Sequence, residues 1–121
     1  MSAGTYNFTI EQGTTFTKTF WYKDSNGDPI NLSGYNIRMD IKNSYNSAAL
    51  ATFSTTTGHF TLSTPTDGTV PNQINLLVGA VETAALDFSG ALYDIELEIG
   101  GIVTRLLQGR VKLSPEVTTS A

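Results

Sequence analysis

The chain contains no cysteine. That excludes a disulfide framework, a thiolate metal site and a cysteine nucleophile. It suits either a reducing cytoplasm or a particle that must survive both redox environments. Charge is scarce too: 15% of the 121 residues are Asp, Glu, Lys or Arg, against a usual share of about 25%. The basic residues are scattered, at Lys18, Lys23, Arg38, Lys42, Arg105, Arg110 and Lys112, and the formal net charge is −4. A nucleic-acid surface needs clustered cations to displace counterions, so no such partner is expected. No hydrophobic run approaches the ~18 residues of a membrane-spanning helix, so no membrane partner is expected either. Residues 1–5 lack the basic and apolar regions of a secretory signal, which gives the expectation of a chain made in the cytoplasm and not exported by that route. His59 is the only histidine. Any Ser-His-Asp triad would have to use it, and no Gly-x-Ser-x-Gly elbow is present to aim a nucleophile. Gly100-Gly101 is too short for a phosphate cradle and opens no helix.

What the chain does have is hydrophobic residues, at 40%, and a surface that must be covered by Thr, Ser and Asn. Branched Thr suits a pleated strand. The length fits one domain, and a domain of this size hides roughly two thirds of its unfolded surface, enough to fold without a metal or a disulfide.

Period-two alternation recurs along the sequence. Over 6–10, Tyr6, Phe8 and Ile10 share a face. Over 14–22, Phe16, Phe20 and Tyr22 fall on one side and Trp21 on the other, which predicts a strand covered on both faces. Asp24-Ser25-Asn26-Gly27-Asp28-Pro29 is the strongest turn signal, because Asn-Gly tolerates positive φ and Pro29 has no N–H for a ladder. A brief strand resumes at 30–32. Over 35–42, Tyr35, Ile37, Met39 and Ile41 point inward and Asn36, Arg38, Asp40 and Lys42 outward. The loop 43–47 is polar. Short strands are expected at 50–53 and 60–62 around Thr55-Thr56-Thr57-Gly58, and another through Ile74, Leu76 and Val78. Residues 80–87 are the one helix-like stretch. A long strand over 92–99 turns at Gly100-Gly101 and returns over 102–113. The alternation slips at Leu106-Leu107, which predicts a bulge or a strand covered on both faces. The pattern gives an all-β, antiparallel β-sandwich, Ig-like or jelly-roll-like, with one short helix near 80–87. It is a single domain over 1–121 with flexible termini at about 1–5 and 114–121.

Few residues point to chemistry. Asp94, Glu96 and Glu98 project from one strand face at roughly 6–7 Å intervals. Carboxylates so spaced can flank a glycosidic bond or collect Ca²⁺. The favoured reading is a solvated face paired with Arg105, Arg110 or Lys112 across the hairpin. Asp24-Ser25-Asn26-Gly27-Asp28 has alternating oxygens but lacks the distal Glu of a Ca²⁺ loop, so a plain turn is expected. No catalytic residue, cofactor or metal site is assigned. Among the aromatics Trp21, Tyr22, Tyr35 and Tyr45, a carbohydrate or partner surface competes with core packing; Trp21 and Tyr35 are expected in the core, and Tyr45, in its polar loop, at a contact rim.

Two stretches carry a resemblance. Residues 10–42 contain Ile10-Glu11-Gln12-Gly13-Thr14-Thr15-Phe16, then Trp21-Tyr22-Lys23-Asp24-x-x-Gly27-x-Pro29-Ile30-x-Leu32-Ser33-Gly34-Tyr35, then Ile37-Arg38-Met39-x-Ile41-Lys42. Residues 92–117 contain Leu92-Tyr93-Asp94-Ile95-Glu96-Leu97, then Gly101-x-Val103-Thr104-Arg105-Leu106-Leu107-x-Gly109-x-Val111, ending in Leu113-Ser114-Pro115-Glu116-Val117. Together, over about half the chain, they resemble small tailed-bacteriophage virion proteins and the N-terminal β-sandwich domains of phage baseplate and receptor-binding-apparatus proteins of the upper-baseplate type. The resemblance implies a non-enzymatic virion structural protein of the tail, baseplate or neck, or a fibre adaptor, assembled in the host cytoplasm. The upper-baseplate type continues into a linker, a coiled coil and a further module; with nothing after Ala121, a standalone adaptor, collar or decoration subunit is expected. Its implied partners are other virion proteins and further copies of itself, in a homo-oligomer. Strand addition at an exposed edge is the natural mode of contact. The terminal arms, ordered on assembly, and Tyr6, Tyr45, Pro115, Glu116 and Val117 are the expected interface residues. The alternatives are a capsid decoration (cement) protein, a carbohydrate-binding β-sandwich module and a small hydrolase using the acidic face.

Overall fold

The period-two pattern becomes two packed sheets. The computed structural model of the protein describes residues 4–66 and 68–115. In chain order the elements are β1 (Gly4–Thr5), β2 (Phe8–Glu11), β3 (Phe16–Trp21), β4 (Asn36–Lys42), β5 (Ala49–Ser54), β6 (Phe60–Ser63), β7 (Gln73–Val78), α1 (Ala80–Ala84), β8 (Gly90–Ile99) and β9 (Ile102–Ser114). The larger sheet runs β1-β9-β8-β4-β5, with β2 also on β9; the smaller runs β3-β7-β6.

Most strands bury the side chains that their alternation marks as apolar; Phe16 and Phe20 of β3 are partly buried against the core. Phe8 and Ile10, Ile37, Met39 and Ile41, Tyr93, Ile95 and Leu97, and Val111 and Leu113 line the inner face of the large sheet. Phe60, Ile74, Leu76 and Val78 face them from the small sheet, and Leu32 and Leu86 are buried with them. Each such side chain contributes roughly 1.5–3 kcal/mol of transfer free energy, so this single layer holds the domain together.

The predicted hairpin at Gly100-Gly101 is present: Ile99 pairs with Ile102, and both glycines have positive φ, 57° and 84°. The predicted slip near Leu106-Leu107 is a bulge. Ile95 pairs with Leu107 but Glu96 with Arg105, so Leu106 is the extra residue.

Several expectations are corrected. The sandwich is antiparallel except at its N-terminal edge, where β1 and β2 run parallel to β9. Gly4 and Thr5, expected in a mobile arm, therefore pair with Leu107 and Gln108, and Ser114 is the last residue of β9. Residues 30–32 form no strand: Pro29 and Gly34 (φ 83°) bracket them, and the segment plugs the core with the fully buried Leu32. Trp21, expected in the core, is 56% exposed on the outer face of the small sheet, because no described residue covers that face; Tyr35 is partly buried against the core.

Candidate interaction surfaces

The outer face of the large sheet is charged. Arg38 pairs with Glu96 at 3.0 Å and Arg105 with Asp94 at 3.5 Å. Glu98 accepts from Asn36 Nδ2 and from the Gly101 N–H, both at 3.1 Å. The acidic comb of β8 is thus held by neighbours on both sides; the pairing of Glu96 is to β4 rather than to the hairpin partner. The Asn36 and Gly101 hydrogen bonds hold the Glu98 carboxyl below its ordinary pKa. Asp94 goes the other way. Partial burial raises it first, then the Glu96 charge, and Arg105 only partly offsets these; Asp40, its cross-strand neighbour, adds to the rise.

Like charges directly opposite on neighbouring strands are destabilising. Asp40 and Asp94 line a hollow of about 690 Å³ together with Lys42, Arg105, Arg110 and Tyr45. Tyr45 is 85% exposed. The hollow carries both signs of charge, with Arg105 and Asp94 paired on its wall, so it is equipped to receive a polar side chain.

Tyr6 sits at the break between β1 and β2, beside β9. The residue is 40% exposed; its ring packs on Phe8 at 5.1 Å and carries the Lys18 ammonium 4.7 Å above it. Its main chain is fastened twice: its N–H donates to Gln108 O at 3.0 Å, and its carbonyl accepts from the Tyr93 hydroxyl. Burial, and then the nearby Tyr6, push the Tyr93 hydroxyl pKa well up. Pro115 is exposed at the end of β9; Glu116 and Val117 lie outside the described residues. Of the described contact residues, Tyr6 belongs to the β2–β9 edge and Tyr45 to the hollow, so these two are not brought together.

The residues that carry the resemblance build corners. Gln12 Nε2 donates to Leu86 O at 2.9 Å and to Ala84 O at 3.3 Å, so it caps the end of α1. The Gly13 N–H donates to Thr83 Oγ1 at 3.0 Å, and that buried hydroxyl donates to Thr14 O at 2.7 Å. Asp24 Oδ1 accepts from the Asn26 and Asp28 N–H groups at 2.9 and 3.0 Å, closing an Asx turn around Gly27 (φ 83°). The Asp24 carboxylate thereby serves the backbone.

His59 has partners that its sequence neighbourhood does not show. Its Nδ1 lies 2.6 Å from Thr57 Oγ1 and its Nε2 2.5 Å from Glu82 Oε2. The order hydroxyl, imidazole, carboxylate is that of a catalytic triad. Here Thr57 Oγ1 also accepts from Ser54 N at 2.9 Å and donates to Ser54 O at 3.0 Å, so it is engaged by the turn. The arrangement clasps α1 to the β5–β6 turn.

Each sheet also offers edges to a partner. β6 is only four residues long. β3 carries Lys18 pointing inward, a common guard against edge pairing. The β1–β2 edge is broken at Tyr6-Asn7 and ends in Glu11. β5, Ala-Leu-Ala-Thr-Phe-Ser, has no charge and no proline, and its register shift exposes Leu50 to 39%. Thr55 N donates to Ile37 O, so by alternation Phe53 and Ala51 bond to β4, and the N–H and C=O of Thr52 face outward. β5 is the least guarded edge among the described residues.

No protein-family model matches the chain, and no curated protein matches it.

Proposed function

We propose that this domain is a non-enzymatic structural protein of a tailed-bacteriophage virion, placed at the tail, baseplate or neck, that assembles through β5 with further copies of itself and with other virion proteins. Two things support this reading. One is the resemblance of residues 10–42 and 92–117 to such proteins. The other, which carries the mode of action, is the uncharged edge of β5 with the outward main-chain groups of Thr52. Strand addition there extends the large sheet by main-chain hydrogen bonds. Leu50 supplies apolar area, and the charged hollow with Tyr45 lies on the same sheet.

Immunogold labelling tests the placement. Antibody raised against the purified protein is applied to tailed particles released from cells that carry the gene. Label at the tail, baseplate or neck supports the reading. Label on the capsid moves the protein to a decoration role, and unlabelled particles overturn the virion reading.

A further inference from the structure

The outer face of the small sheet differs from that of the large one. Its outward positions are Thr17, Thr19 and Trp21 on β3, Gln73, Asn75 and Leu77 on β7, and Thr61 and Ser63 on β6. None is charged. We propose that this face binds a neutral, linear oligosaccharide, with the Trp21 indole as the stacking platform and the Gln73-Asn75-Ser63 row as the hydroxyl reader.

The polar groups are already aligned. Trp21 Nε1–H donates to Gln73 Oε1 at 3.2 Å, Gln73 Nε2 donates to Asn75 Oδ1 at 2.9 Å, and Asn75 Nδ2 donates to Ser63 Oγ at 2.9 Å. The chain of bonds crosses all three strands, a span of about 10 Å at the usual strand spacing. Each amide uses one N–H in this chain and has a second, and Ser63 has its hydroxyl hydrogen. Side chains so fixed lose little further freedom when a ligand arrives.

The indole spends its N–H on Gln73, which orients the ring and leaves its apolar face for a ligand. A sugar ring presents C–H groups on one face and hydroxyls, each donor and acceptor, around its edge. The first suits the electron-rich face of an indole, and the second suits amides, which also donate and accept. Beside Trp21 a shallow hollow of about 460 Å³, lined also by Lys23, Pro29, Pro65 and Asn72, extends the platform. The absence of charge at the outward strand positions selects a neutral sugar over an acidic one.

Trp21 is the only tryptophan, so its fluorescence reports this face alone. The intact protein is titrated with the neutral hexasaccharides of β-1,4-glucan, β-1,4-xylan, α-1,4-glucan and chitin, each to about 10 mM, where even a millimolar ligand saturates. The expected result is a saturable change in emission with at least one of them. Affinity for it falls about 2- to 10-fold in Gln73→Ala and in Asn75→Ala, both of which keep the indole. No change with any of the four overturns the proposal. So does unaltered affinity in both amide variants, or emission that varies with protein concentration alone, which marks the face as a contact between copies.

Discussion

The main-chain carbonyl oxygen of Tyr6 lies 2.2 Å from where a Cβ on Gly109 would stand. No side chain fits there, since the obstruction is backbone. The N-terminal segment is pressed against β9 at this point, at the break between β1 and β2, and is tied down by the Tyr93 hydroxyl. Gly109→Ala must push the segment outward, and a loss of about 1–3 kcal/mol is expected, as for overpacked cores. Urea unfolding measures it; a loss under about 0.5 kcal/mol, the range of an ordinary surface change, contradicts the account.

Tyr93 makes stability sensitive to alkali. Its pKa is raised in the folded state by burial and by Tyr6. Its contribution is therefore fully present below the unfolded value of about 10 and is lost as pH rises above it. Tyr93→Phe should cost roughly 0.5–1.5 kcal/mol at neutral pH and flatten the decline above pH ~10. An equally steep decline in the variant would show that the slope comes from elsewhere.

The His59–Glu82 contact ties α1 to the turn before β6. In a double-mutant cycle, His59→Ala and Glu82→Ala should couple by about 0.5–1 kcal/mol, the scale of a half-exposed pair. Additive single losses would mean that the two side chains act independently.

On the charged face, the two carboxylate neighbours should behave differently. Glu96→Gln removes half of a 3.0 Å pair with Arg38 and should cost about 0.5–1 kcal/mol. Asp94→Asn loses a longer pair with Arg105 but also relieves repulsion from Glu96 and Asp40, so its effect at pH 7 should lie within about 0.5 kcal/mol of zero. Asp94 ionises at a penalty in the fold, and that penalty is present above its raised pKa and relieved as pH falls through it. Thermal unfolding of both variants at pH 7 ranks them; a larger loss for Asp94→Asn contradicts the ranking.

Strands β2 to β9, the Gly100-Gly101 hairpin and the Leu106 bulge were readable in the sequence because each is a local pattern: period two, a turn pair, a slip in alternation. Features joining distant residues were not. Nothing near Gln12 signals that it caps α1, and nothing near His59 signals Glu82. Gly109 did carry a signal, since a lone glycine inside a strand pattern marks a close backbone approach. Trp21 was misplaced because alternation tells which side chains share a face, and only the packing of sheets decides whether that face is covered. The uncharged β5 edge was written in Ala49–Ser54, yet its meaning required knowing that β5 ends a sheet.

In the proposed assembly, copies join through the β5 edge. Light scattering across a concentration series tests it directly, on the native protein and on Thr52→Pro. The N–H lost at Thr52 faces away from β4, so the domain itself should tolerate the proline, which far-UV circular dichroism checks. The native protein should reach a discrete oligomer that the variant, folded, does not form. A native protein that stays monomeric at every concentration, or an oligomer that survives Thr52→Pro unchanged, contradicts assembly through this edge.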